Sequence, residues 1–133
     1  MLKRTFIPRI SEVNIARHIR ADVIMVWLVE GSTEFQQMFS PDPQADSHTI
    51  MANINMDFFN ELVLGKDVEV ATGVKKIGNS SFVLVQEVYQ DARLCAQGTA
   101  TFVNFNYSTH KSEFIPQTIR VKLEEHLITP DQR

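Results

Sequence analysis

Asn14-Ile15-Ala16-Arg17-His18-Ile19-Arg20-Ala21-Asp22 runs directly into Val23-Ile24-Met25-Val26-Trp27-Leu28-Val29-Glu30-Gly31. An amide, an imidazole and a carboxylate recur every four residues, and the stretch that follows is almost wholly apolar. Ile24, Trp27, Leu28, Gly31, Phe35 and Met38 keep helical spacing. Val23, Val26 and Val29 make the opposite side apolar as well, which is the pattern of a helix buried in the middle of a fold. Residues 11–39 hold no proline and one glycine, Gly31. A glycine inside a helix costs roughly 1 kcal/mol against alanine, tolerable where a backbone or a ligand must come close. Ser40-Pro41-Asp42-Pro43 ends the helix, because each proline turns its predecessor away from helical backbone.

Working outward, residues 4–10 read as a short strand, with Pro8 favouring an edge. Beyond the helix the period changes to two. Ala52, Ile54, Met56 and Phe58 alternate with Asn53, Asn55 and Asp57, the signature of a half-buried strand. Leu64-Gly65-Lys66-Asp67 is a turn before a second strand over residues 68–74. Gly78-Asn79 makes a hairpin into residues 82–89, and Gln90-Asp91-Ala92-Arg93 turns into a long strand over residues 94–106. Pro116 occupies the first turn of a terminal helix with Ile119, Leu123 and Leu127 on one face. Residues 129–133 read as a frayed tail. Strands joined by short turns pair antiparallel, and the long apolar helix is the large element available to cover one face. The expected fold is therefore α+β: an antiparallel five-stranded sheet wrapped around one long central helix, closed by a short C-terminal helix, as one domain over residues 1–133. Free sheet edges pair between subunits, so a homodimer or homotetramer is expected.

Bulk composition narrows the function. A formal net charge of −3 argues against a nucleic-acid partner, which calls for a basic face. No apolar run is long enough to span a bilayer, and no apolar core follows the basic N-terminus as a secretion signal requires. The single cysteine, Cys95, excludes an intrachain disulfide and a cysteine-rich zinc site, and it fits a reducing, cytoplasmic setting. His18, His48, His110 and His126 lie on scattered elements without ligand spacing, so no metal site is expected.

Several motifs then resemble one family. Asn14-Ile15-Ala16-Arg17-His18-Ile19, followed by Trp27 and Glu30, resembles the N-terminal motif of hotdog-fold acyl-CoA thioesterases of the 4-hydroxybenzoyl-CoA type. Lys76-Ile77-Gly78-Asn79-Ser80-Ser81-Phe82 resembles that family's hairpin, Ala96-Gln97-Gly98-Thr99-Ala100 through Val103 its following strand, and Phe114-Ile115-Pro116 its closing turn. The resemblance covers nearly the whole chain. It places residues 11–19 in a loop and starts the helix near Arg20 to Asp22. Three positions depart from the motif: Asn14 stands where the family has its catalytic Asp, Arg17 where it has Gly, and Arg20 where it has Asn.

The resemblance implies hydrolysis of an acyl-CoA or acyl-carrier-protein thioester, with coenzyme A as part of the substrate and no further cofactor. Such a reaction needs an acceptor for a water proton and donors for a developing oxyanion. The N–H groups at a helix N-terminus, here residues 20–23, are suitable donors. Asn14 is a neutral amide and cannot be the base, but it can hold the water or the thioester oxygen. The candidate bases are His18, Asp22 and Glu30. Burial on the helix would raise the Glu30 carboxyl towards a useful range, and an imidazole exchanges protons near neutral pH. Lys75, Lys76, Ser80 and Ser81, or Arg17 and Arg20, could meet the coenzyme's phosphates. Trp27, Met25, Phe58 and Phe59 could line the acyl pocket.

Each of these residues also has an ordinary structural use. Asp22 can complement the helix dipole, Asn14 can cap a turn, His18 can close its loop, and Glu30 can pair with an arginine of a neighbouring subunit. The phenylalanines and Trp27 can be plain core. A non-catalytic acyl-thioester-binding or assembly protein is the alternative function, and the amide at position 14 motivates it.

Overall fold

In the computed structural model the described residues are 1–40 and 42–128. Pro41 and the tail at 129–133 lie outside them. The chain runs β1 (Leu2–Phe6), a 3-10 turn (Ile10–Glu12), α1 (Ala21–Gly31), α2 (Thr33–Gln37), β2 (Ser47–Phe58), β3 (Val68–Ile77), β4 (Ser81–Gln90), β5 (Arg93–Asn106), β6 (Lys111–Ser112) and α3 (Gln117–Glu124). The sheet order is β1-β3-β4-β5-β2, with every neighbouring pair antiparallel. The short β6 adds a sixth strand beside β5, which the sequence pattern does not announce.

Alternation sets the faces. Val68, Val70, Thr72 and Val74 of β3 pair with Gln90, Val88, Gln86 and Leu84 of β4, and cross-strand partners point to the same side. That side carries the helices. Ile24, Trp27 and Leu28 of α1 pack with Val68, Val70, Val88 and Ala96 at one end of the sheet. Phe35 of α2 packs with Val74, Phe82, Leu84 and Phe102, and with Ile119 and Leu123 of α3, at the other.

The central helix departs from expectation in two ways. It is not continuous, since α1 stops at Gly31 and α2 begins at Thr33. The Ser32 hydroxyl and N–H both donate to the Val29 carbonyl, at 2.6 and 3.1 Å. The Leu28 carbonyl instead accepts a bond from the buried Gln86 amide, Nε2 to O 2.8 Å. Nor is α1 buried all round, because Val26 and Val29 are 55% and 44% exposed. Its buried side faces the sheet closely: a Cβ added at Gly31 would stand 3.0 Å from Val70 Cγ1. That close approach is the reason a glycine is tolerated there.

Smaller corrections follow. β1 ends at Phe6, before Pro8, rather than reaching Ile10. Pro116 sits at the N-cap of α3, just outside its first turn. Leu127 lies beyond α3, where it bridges to Val74 and stays exposed. Among the described residues no helix is long and apolar enough to cross a membrane.

Candidate active site

The loop before α1 is organised by Asn14. Its side-chain Oδ1 accepts hydrogen bonds from the backbone N–H groups of Ala16 (3.0 Å) and His18 (3.1 Å). Its own N–H donates to the His18 carbonyl, and its carbonyl accepts from Arg17, both at 2.9 Å. The turn so formed puts Arg17 in left-handed backbone, φ 64°, a conformation that favours glycine. This is a physical reason for the glycine of the family motif.

The segment after β2 holds the other side of this loop. The Ile19 N–H donates to the Leu62 carbonyl at 2.8 Å, the Leu64 N–H to the Arg17 carbonyl at 3.2 Å, and His18 bridges antiparallel to Val63. Val63 is pinned in turn by the buried Gln90, which donates to its carbonyl (2.8 Å) and accepts from its N–H (3.0 Å). His18 is thus carried on a ladder anchored to β4.

Arg20 caps α1. The N–H groups of Val23 and Ile24 donate to its carbonyl, at 3.1 and 3.2 Å. Its guanidinium donates to the Ser11 carbonyl (2.8 Å) and to Asp22 Oδ1 (3.1 Å). That bond from Arg20 holds the exposed Asp22 carboxyl below its usual range. The Ala21 N–H has no hydrogen-bond partner among the described residues, as expected of a first helical turn, whereas the Asp22 N–H faces the Asp22 carboxylate.

Beside this helix start lies a cleft of about 590 Å3. It is lined by His18, Ala21 and Ile24 from the loop and helix start, by Phe58, Phe59 and Glu61 at the end of β2 and beyond, and by Arg93. Phe58 and Phe59 are half exposed, an apolar surface open to a ligand. Of the residues singled out from sequence, His18, Phe58 and Phe59 meet here. Asn14 sits in the exposed turn with its acceptor oxygen occupied. Asp22 is tied to Arg20 on the surface. Glu30 is exposed rather than buried, so the burial invoked for its carboxyl is absent. It lies eight residues beyond Asp22, about 12 Å along the helix. Trp27 is buried and stacks on Phe6 at 5.2 Å, a core position. Arg17 projects from the turn, and Arg20 serves the cap.

Lys75, Lys76, Ser80 and Ser81 belong to the β3–β4 hairpin at the opposite end of the sheet. The nine steps of β3 from Val68 to Ile77 span about 30 Å. Within one chain they do not reach the cleft. Glu61 and Arg93 carried no motif in the sequence. Only the pairing of residues 62–64 with the loop before α1 brings Glu61 to the helix start.

A larger hollow, about 830 Å3, lies on the other face of the sheet among Lys3, Glu69, Glu87 and Tyr89. Burial and the neighbouring Glu87 push the Tyr89 phenol up. Its described lining holds carboxylates but no imidazole and no helix N-terminus, so it does not combine a proton carrier with an oxyanion donor as the cleft does. Cys95 is buried, and burial pushes its thiol up, which rules against a cysteine nucleophile. Among the described residues no three of His, Cys, Asp or Glu come together as a metal-binding group.

Comparison with known proteins places this geometry. Residues 8–123 match the model of the thioesterase-like superfamily. The chain is similar to the solved structure of a predicted thioesterase from Bacillus stearothermophilus, with 36% identity, 96% of this chain and 97% of that one covered, and a TM-score of 0.90. It shares its fold with a thioesterase from Thermus thermophilus solved with coenzyme A and Zn (20% identity, coverage 91% and 95%, TM-score 0.81). The BH1999 gentisyl-coenzyme A thioesterase has the same fold (17% identity, coverage 92% and 99%, TM-score 0.79). No protein of curated function matches the chain. With a curled antiparallel sheet on its helices and the family model spanning nearly all of it, the chain belongs to the thioesterase-like superfamily and is an enzyme of thioester hydrolysis.

Proposed function

We propose that the substrate is an acyl-CoA thioester and that it is hydrolysed in the cleft beside His18. One observation supports this reading: His18 and the first turn of α1 line the same cleft as Phe58 and Phe59. The thioester carbonyl oxygen sits at the Ala21 N–H at the start of α1, where the partial positive charge of the helix end favours the oxyanion. Phe58 and Phe59 hold the acyl group. His18 hands a proton to the leaving thiolate. The relatives solved with coenzyme A or described as acting on a coenzyme A thioester support a CoA carrier over an acyl-carrier protein.

The working unit we propose is a homodimer joined along β2. This strand is a sheet edge of twelve residues, with one side of its backbone unpaired. Val26, Val29, Phe58 and Phe59 are exposed, and Phe58 is the last residue of that strand. Antiparallel pairing of β2 with a second copy brings the cleft end of one chain to the hairpin end of the other. Lys75, Lys76, Ser80 and Ser81 of that second copy then come towards the cleft as candidate phosphate ligands, alongside Arg93. A lone buried thiol fits a reducing compartment such as the cytoplasm.

Release of free thiol from acyl-CoA thioesters of increasing chain length tests the activity. Turnover well above the uncatalysed rate is expected for at least one, with a clear loss in His18→Ala. No turnover across the panel would sink the reading. The amide at position 14 motivates the alternative, a non-catalytic acyl-thioester binder. In that case acyl-CoA would raise the melting temperature and be recovered unchanged.

A further inference from the structure

We propose that Glu61 is the general base of this site, an assignment that rests on the thioester hydrolysis proposed for the cleft. Hydrolysis requires a group to take a proton from the attacking water, and the carboxylates around the helix start are easily sorted. Position 14 offers an amide whose oxygen already accepts two backbone N–H bonds. Asp22 is engaged by the Arg20 guanidinium at 3.1 Å. Glu12 accepts the Arg9 N–H at 2.8 Å and closes its own turn. Glu30 is about 12 Å farther along α1 than Asp22. Among the described residues Glu61 is the one carboxylate in the lining of the cleft. It makes no hydrogen bond and no ion pair among the described residues.

The backbone explains how an exposed side chain is held there. His18 bridges to Val63, and the Ile19 N–H donates to the Leu62 carbonyl at 2.8 Å. Carrying that antiparallel register one residue further sets Glu61 opposite Arg20, the residue that caps α1. Glu61 therefore lies across from the start of α1, one residue before Ala21, whose N–H has no hydrogen-bond partner among the described residues. Its two neighbours do the anchoring. Asn60 Nδ2 donates to the Leu94 carbonyl at 3.0 Å and its Oδ1 accepts from Arg93, while the Leu62 side chain is buried in the core. Glu61 is fixed by both and engaged by neither.

In the reaction Glu61 takes one proton from water as the water oxygen bonds to the thioester carbonyl carbon. The carbonyl electron pair moves onto oxygen and is held by the helix N–H groups. When the C=O bond re-forms, the C–S bond breaks. The proton held by Glu61 reaches the sulfur by way of His18, which gives one proton to the thiolate and receives one from Glu61. The products are a free acid and a free thiol, and no other reactant is needed.

The test compares the full chain carrying Glu61→Gln, Glu61→Asp or Glu61→Ala with the wild type on whichever acyl-CoA it turns over. Glu69→Gln, on the far face of the sheet, serves as the control. Loss of a general base lowers kcat by about 10²–10⁴-fold. The expected pattern is that loss in Glu61→Gln with KM and melting temperature little changed, partial return of rate in Glu61→Asp, and recovery of Glu61→Ala by added formate. A Glu61→Gln kcat within about threefold of the wild type overturns the assignment. If Glu61→Gln melts markedly lower, the formate experiment decides, and absence of rescue overturns the assignment. An inactive wild type fails the thioesterase reading itself, whereas an active wild type indifferent to Glu61→Gln fails only this inference.

Discussion

At the scale of single residues, Gln86 and Arg17 are opposite kinds of constraint around α1. Gln86 lies in the core, 2% exposed, and donates to the Leu28 carbonyl and to Thr72 Oγ1. Its amide satisfies a helix carbonyl that the break at Ser32 leaves without an intrahelical donor. Replacing it by methionine keeps the volume and orphans that carbonyl, which costs about 1–3 kcal/mol. Urea unfolding of Gln86→Met should show a loss of that size with the slope unchanged. Arg17 is a residue of the opposite kind. Its left-handed backbone, φ 64°, is imposed by the Asn14 turn. Glycine removes the steric penalty at some entropic expense in the unfolded chain. Arg17→Gly is therefore expected to raise stability by about 0.5–1 kcal/mol, and a fall in melting temperature would contradict the account. The motif positions around residue 14 were legible in the sequence as a resemblance. That Asn14 serves the turn with its oxygen was not legible, because the acceptors and donors of a loop are settled by its path.

At the scale of elements, close backbone approach explains which glycines matter. A Cβ at Gly98 of β5 would lie 1.9 Å from the Asn55 carbonyl oxygen of β2. No side-chain adjustment relieves a clash with backbone, so Gly98→Ala should part β2 from β5 and abolish folding or drive the protein into aggregates. Gly31→Ala meets side chains instead, with Val70 Cγ1 at 3.0 Å. Helix propensity favours the alanine by about 1 kcal/mol, and moving Val70 opposes it by about 1–3 kcal/mol. A mild net loss is expected by thermal melting. β4 and β5 were legible to within a residue, since period-two alternation follows from a sheet with one covered face, whereas β1 was read too far along, β2 begins five residues earlier than its alternation shows, and β6 carried no signal. The helix break was not. Helical spacing continues through Ser32, and only the hydroxyl bonding back to Val29 and the Gln86 amide taking Leu28 show that the ladder is interrupted there.

At the scale of the whole molecule, the proposed dimer would cover the exposed valines of α1 and the open edge of β2. Placing charge on that surface by Val26→Lys together with Val29→Lys should leave the far-ultraviolet circular dichroism unchanged while the sedimenting mass falls from dimer to monomer. Thiol release should fall with it, since phosphate ligands from a second copy would be withdrawn. A dimer that survives both substitutions would place the interface elsewhere. Exposure of these valines was hidden from a sequence reading that saw apolar residues all round the helix. Hydrophobicity says that a side chain is to be covered, not which chain covers it.

Local chemistry was thus enough to determine the order of strands and helices, the antiparallel sheet, the burial of Ile24, Trp27 and Leu28, and the likeness to thioesterases. The likeness rests on the resemblance of four motifs to a known family, and the rest follows from periodicity and turn residues, which act over a few neighbours. Tertiary structure alone decided which polar groups share a space. His18, Ala21, Phe58 and Glu61 meet because a loop and a post-strand segment far apart in sequence exchange backbone bonds across a cleft. It also decided that Asp22 and Glu30, prominent in the sequence, face solvent. A carboxylate's role depends on what the fold brings within reach of it, and that distance is not encoded in any local pattern.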